Sequence, residues 1–138
     1  MTLEQYVFGG NNDSFCYWLL HRTHSLGSLR GGWPATVFGI FRPNPESEWG
    51  KSGLYFDREF AWAGRLRHDN AEDAFQEMKS KVLRTIEAAL NNDLDAISRI
   101  EGFDFFRWKV AYLFAPDRVF PMFSKQRLRM SARELGMP

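Results

Sequence analysis

Apolar side chains recur at the helical period along two stretches of the chain. Ala71, Ala74, Phe75, Met78, Val82, Ile86 and Leu90 follow one another at three- and four-residue steps, which predicts an amphipathic helix opened by Asn70 and closed by Asn91-Asn92. From Phe105 to Phe114 apolar residues cover nearly the whole circumference, and only Arg107 and Lys109 are charged. A helix of that kind is a buried one. Asp104 can cap it, and Pro116 forbids its continuation.

Between them Asp93–Ile100 predicts a short helix. Asp117 and Arg118 read as a turn, and Val119–Phe123 as an extended link. Ser124 is a further N-cap, followed by an amphipathic helix from Lys125 to Leu135. Leu128, Ser131, Ala132 and Leu135 form its inner stripe, while Lys125, Arg129 and Arg133 share an outer one, with Arg127 nearby. Gly136 stands where a left-handed C-cap belongs.

The first half is less periodic. Met1–Asn12 reads as a loop. Asp13 or Ser14 caps a helix with Phe15, Trp18, Leu19, Arg22 and Leu26 on one face, ended by Gly27. Leu29–Pro34 is a glycine-rich turn and Pro43–Gly50 a polar loop. Three strands are predicted: Ala35–Phe41, Leu54–Phe56 and Phe60–Arg67. In the last, Phe60, Trp62 and Leu66 alternate with Ala61, Ala63, Arg65 and Arg67, so one face is buried and the other wet. The sum is an α+β fold: a small antiparallel sheet of about three strands with helices packed on one face.

A length of 138 residues suits one domain, and a chain of this size buries roughly two-thirds of its extended surface. The net charge of +1, from 18 basic and 17 acidic residues, excludes polyanion binding by bulk charge alone. The balance is local. After Pro116 the basic residues Arg118, Lys125, Arg127, Arg129 and Arg133 face only Asp117 and Glu134. The single cysteine, Cys16, cannot form an internal disulfide, which suits a reducing cytoplasm. Met1–Gly10 lacks the apolar core of a leader, and no stretch has the length of a membrane span.

Catalytic constellations are weak. Gly50-Lys51-Ser52 looks like the end of a phosphate loop, but Pro45 stands where the leading glycine belongs and a strand follows where a helix should. His21, His24 and Cys16 lack a converging second pair for zinc, and His68 stands alone after a strand. Cys16 among aromatics reads as a small buried side chain. Glu46, Glu48 and Glu59 form no metal-binding cluster. No cofactor or metal is expected, and no catalysis by this domain itself.

The basic residues are the better lead. Arg30 and Trp33 share a glycine-rich loop, Trp49 and Lys51 a second loop, Arg65 and Arg67 the wet side of a strand, and Lys125, Arg127, Arg129 and Arg133 the final helix. Arginine and lysine give salt-sensitive phosphate contacts, and an exposed indole can stack on an unpaired or flipped base.

The segment W-K-V-A-Y-L-F-A-P-D-R-V-F-P-M-F-S-K-Q-R-L-R, Trp108 to Arg129, resembles one that lies just ahead of the AAA+ GTPase module of McrB-like proteins in modification-dependent restriction systems. The stretches F-G-G-N-N-D-S-F-C-Y-W-L, from Phe8, L-G-S-L-R-G-G-W, from Leu26, and F-G-I-F-R, from Phe38, resemble the N-terminal regions of the same proteins. Together they cover roughly half the chain. The resemblance implies an N-terminal recognition domain cut from a longer phage-defence protein. It would select double-stranded DNA, with a modified cytosine as one form of target, for a separate C-terminal AAA+ GTPase module and a nuclease subunit. The competing expectation is a protein–protein interaction or self-association module that senses a partner and holds no DNA, favoured by the aromatic content of 16%.

Overall fold

The computed structural model describes residues 1–26, 38–43, 53–102, 104–121 and 125–137, with the side chain of Lys125 left aside. The chain divides into two compact units, Met1–Ser80 and Lys81–Pro138. The elements in order are α1 (Leu3–Tyr6), α2 (Phe15–Tyr17), β1 (Ile40–Phe41), β2 (Leu54–Phe56), β3 (Ala61–Ala63), α3 (Ala71–Leu90), α4 (Leu94–Arg99), α5 (Asp104–Phe114) and α6 (Lys125–Glu134). The fold is a small α+β arrangement.

In the first unit the strands form one antiparallel sheet in the order β1-β3-β2. Ile40 pairs with Trp62, and Tyr55 pairs with Trp62 from the other side. Asp57 closes the β2–β3 turn: its Oδ1 accepts from the amides of Glu59 at 2.9 Å and Phe60 at 2.7 Å. β3 is shorter than the alternation predicts. It ends at Ala63, because a 3₁₀ turn over Gly64–Leu66 takes over and Arg67 adopts a left-handed φ of 48°. The crossing with Gly53 enforces this. Gly64 N donates to Gly53 O at 2.8 Å, and a Cβ on Gly64 would lie 2.7 Å from that oxygen. Ala61 and Ala63 are as buried as Trp62, so β3 has no wet face.

The lead-in is not a loop. Thr2 and Gln5 form a reciprocal capping box that starts α1, and Tyr6 ends it inside the core. The Tyr6 ring packs on Phe15 at 5.6 Å and on Phe75 of α3 at 5.7 Å, and its hydroxyl donates to Phe38 O at 2.9 Å. One side chain thereby ties α1, α2 and α3 to the segment entering the sheet. Cys16 and Leu19 are buried beside it, whereas Trp18 and Leu26 of the predicted inner face are exposed. The difference has a local cause. After Tyr17 the helix widens into a π turn over Trp18–Arg22, and a 3₁₀ turn, His24–Leu26, follows. One residue is added after Trp18, so the positions beyond it, Leu26 included, swing away from a 3.6-residue reckoning, while Trp18 itself lies off the Cys16–Leu19 face.

α3 runs 20 residues from a cap on Asn70, whose side chain accepts from Asp73 N at 2.8 Å. Left-handed Asn92, φ 58°, turns the chain into α4, and Asp93 caps that helix by accepting from Ala96 N at 2.8 Å. In the second unit Ala88, Ala89, Ile97, Ala111, Ala115 and Val119 form a core, with Trp108 and Tyr112 half-buried against it. α5 is less evenly buried than its composition predicts: Phe106, Val110 and Ala111 are inside, and Phe114 is exposed. Two of its charged residues, Arg107 and Lys109, are inside as well. Arg107 donates to Ile100 O at 2.6 Å and pairs with Asp104, the first residue of the helix.

α6 ends as predicted. Gly136, φ 72°, is the C′ residue of a Schellman motif in which Met137 N donates to Ala132 O at 2.9 Å and Gly136 N to Arg133 O at 3.0 Å. Its predicted inner stripe, however, is not inside. Leu128 and Leu135 are exposed, and only Ser131 and Ala132 are half-covered.

Candidate nucleic-acid interface

The π turn after α2 builds an exposed aromatic and basic surface in the first unit. Ser14 starts the helix by accepting from Tyr17 N at 3.3 Å. Thr23 stabilises the wide turn: its amide and hydroxyl both donate to Trp18 O at 3.1 Å, and its hydroxyl also donates to Leu19 O at 3.1 Å. The widened turn presents Tyr17, Trp18, His21 and Arg22 along one side. Tyr17 and His21 lie 4.8 Å apart between ring centroids.

Phe8 completes the cluster from outside the helix. Its backbone is strapped beside β1, with Phe8 N donating to Ile40 O at 2.9 Å and Arg42 N to Phe8 O at 3.0 Å. Its ring stacks on Tyr17 at 6.3 Å and on His21 at 5.7 Å. The Arg22 guanidinium lies 6.0 Å from the ring centroids of both Tyr17 and Trp18, within cation–π reach. Trp18 is 48% exposed, and its indole N–H donates to Asp13 Oδ1 at 2.8 Å. That bond fixes the ring's edge and leaves its π surface half in water. Arg22 makes no ion pair among the described residues.

The nearby Arg42 is differently used. It pairs with Glu4 at 2.7 Å and lies over the Phe60 ring at 5.1 Å, so it braces α1 against the strand region.

The residues singled out from the sequence fare unequally. Arg30, Trp33, Trp49 and Lys51 lie outside the described residues, as does the Gly50-Lys51-Ser52 stretch. Arg65 and Arg67 are exposed, but on the 3₁₀ turn and its left-handed exit rather than on a strand face. Arg127, Arg129 and Arg133 are exposed on α6, which belongs to the other unit. His68 is not alone: its Nε2 lies 2.6 Å from Glu77 Oε2. Among the described residues no group of three or more His, Cys, Asp or Glu could hold a metal ion. Cys16 is fully buried, and burial pushes its thiol up to about 12.

Sequence reasoning missed Phe8, Tyr17, Trp18, His21 and Arg22 as a set. The signal was present as two overlapping i, i+4 pairs, Tyr17/His21 and Trp18/Arg22. It was obscured because Trp18 and Arg22 also fit the inner face of a regular helix, and nothing in the local pattern announces a π turn.

No protein family, curated protein or solved structure matches the chain. Among the described residues, no helix is long and apolar enough to cross a membrane.

Proposed function

We propose that the chain is a DNA-recognition module whose reading surface is the Phe8, Tyr17, Trp18, His21 and Arg22 cluster. The observation that carries this is the placement of an exposed guanidinium, with no ion pair among the described residues, 6.0 Å from two aromatic rings that are themselves partly in water. Such a surface supplies both halves of nucleic-acid binding: a cation for phosphate and sequence-tolerant π faces for unpaired bases.

Arg65 and Arg67 belong to the same unit and are further phosphate candidates. The arginines of α6 are left out of this reading. Leu128 and Leu135 share the helix surface with them, and a phosphate backbone offers those leucines nothing to bury against.

The resemblance of Trp108–Arg129 and of the stretches beginning at Phe8, Leu26 and Phe38 to McrB-like proteins supports the same assignment. In that setting the module selects target DNA, modified cytosine included, in the cytoplasm. GTP hydrolysis and cleavage fall to a separate AAA+ module and a nuclease subunit.

Mobility-shift titrations at low salt, with methylated, unmethylated and single-stranded DNA side by side, test the proposal. Binding is expected, and the slope of log affinity against log salt counts the phosphates engaged. No shift with any of the three would end the proposal.

A further inference from the structure

Trp18 has opposite charges beside it that do not neutralise each other. Its indole N–H donates to Asp13 Oδ1 at 2.8 Å, and the Arg22 guanidinium lies 6.0 Å from its ring centroid. All three residues are exposed, and neither Asp13 nor Arg22 forms an ion pair among the described residues.

The carboxylate is fixed in place. Asp13 N donates to Asn11 Oδ1 at 2.8 Å, and the next residue, Ser14, both donates to Asn11 O and caps α2. An indole N–H lies in the plane of its ring, so Asp13 stands at the ring's edge and does not cover the π face. Only Oδ1 serves that bond. Oδ2 makes no hydrogen bond among the described residues, so a second acceptor stands beside the uncovered face.

A base stacked on the indole brings one of its edges to this carboxylate. An acceptor-only group accepts from an exocyclic amino group, such as those of cytosine, adenine and guanine, and repels a carbonyl. Thymine and uracil flank their imide N–H with carbonyls on both sides. The two charges narrow the ligand class as well. A plain anion would be drawn to Arg22 and repelled by Asp13, and a cation the reverse. A nucleotide carries its negative charge on the phosphate and its donors on the base, so it satisfies both.

We propose that Asp13 sets the base preference of the Trp18 surface, favouring unpaired bases that carry an amino group over thymine and uracil. This rests on the nucleic-acid reading of that surface. It adds the residue that discriminates among bases, a role phosphate contacts cannot fill because they carry no sequence information.

Fluorescence anisotropy at low salt and neutral pH, with short labelled oligo-dC and oligo-dU, tests this. The two bases share ring size, lack a methyl group and differ at the edge that bears the amino group, so their stacking is closely matched. The wild-type chain is expected to bind oligo-dC at least about fivefold tighter, the lower end of what one base-edge contact discriminates. Asp13→Asn keeps an oxygen for the indole N–H but removes the charge and puts a donor in place of the second acceptor. The preference is then expected to fall to within about twofold, with oligo-dU gaining. Arg22→Glu is expected to weaken both oligonucleotides alike. Should circular dichroism show that Asp13→Asn disturbs the fold, Asp13→Ser takes its place, with the same loss of preference expected. Equal wild-type affinities, a preference for oligo-dU, or a preference that survives the substitution would overturn the inference while leaving salt-sensitive binding through Arg22 standing. Binding of neither oligonucleotide would overturn it together with the reading on which it rests.

Discussion

Lys109 is a residue whose chemistry departs far from what a position on a surface would give. Its side chain is fully buried in α5, and burial lowers its amine from 10.5 to about 8. Below pH 8 the folded and unfolded forms are both protonated, and the fold carries the cost of a buried charge. Between about pH 8 and 10.5 the unfolded form still binds the proton that the folded form has lost, so stability rises with pH. Cys16 works the other way above pH 9, because its folded thiol stays protonated to about pH 12 while the unfolded one ionises. The window in which Lys109 acts without that opposition is therefore about pH 8 to 9. Thermal unfolding across this window is expected to show a rise in Tm that Lys109→Met abolishes; parallel curves for the two proteins would contradict the assignment. Native Cys16 is likewise expected to react with a thiol reagent only as fast as the chain opens.

Tyr6 is the other residue with a disproportionate role. Tyr6→Phe removes the buried donor to Phe38 O while leaving the ring stack on Phe15 and Phe75. A loss of about 1–2 kcal/mol is expected from urea unfolding, the usual cost of a buried hydrogen bond whose partner is not re-satisfied. A loss within error of zero would show that the bond is not maintained in solution.

At the scale of elements, caps and periodicity explain what could be read in advance. Asn70, Asn91-Asn92, Asp93, Pro116 and Gly136 bound their helices where the residue types require, and α3, α4 and α6 appear within a residue or two of the predicted ranges. Asn70→Ala is expected to cost about 1 kcal/mol, since it removes the acceptor for Asp73 N. Circular dichroism melts would register it, and an unchanged melt would mean that packing alone sets the start of α3.

Elements defined by long-range contacts were less legible. β3 stops at Ala63 because Gly64 meets the Gly53 carbonyl, a contact no alternation pattern encodes. α1 is four residues long and survives through its capping box and the burial of Tyr6, so periodicity had no room to reveal it. The π turn after α2 adds a residue that displaces the positions beyond Trp18 from a regular helical reckoning.

For the whole molecule, the near-neutral charge means that any DNA affinity must come from a local surface and fall steeply with salt. The sequence pointed to arginine next to indole as the relevant chemistry. It placed that chemistry first at Arg30, Trp33 and Trp49, which lie outside the described residues; among the described residues it is met on the π turn, where Arg22 lies beside Tyr17 and Trp18. Fluorescence anisotropy of labelled DNA, titrated at low salt with the wild-type chain and with Arg22→Glu, tests that claim most directly. The account predicts saturable, salt-sensitive binding that weakens at least tenfold in Arg22→Glu, together with unchanged folding by circular dichroism. Equal binding by the two proteins, or none by either, would contradict it.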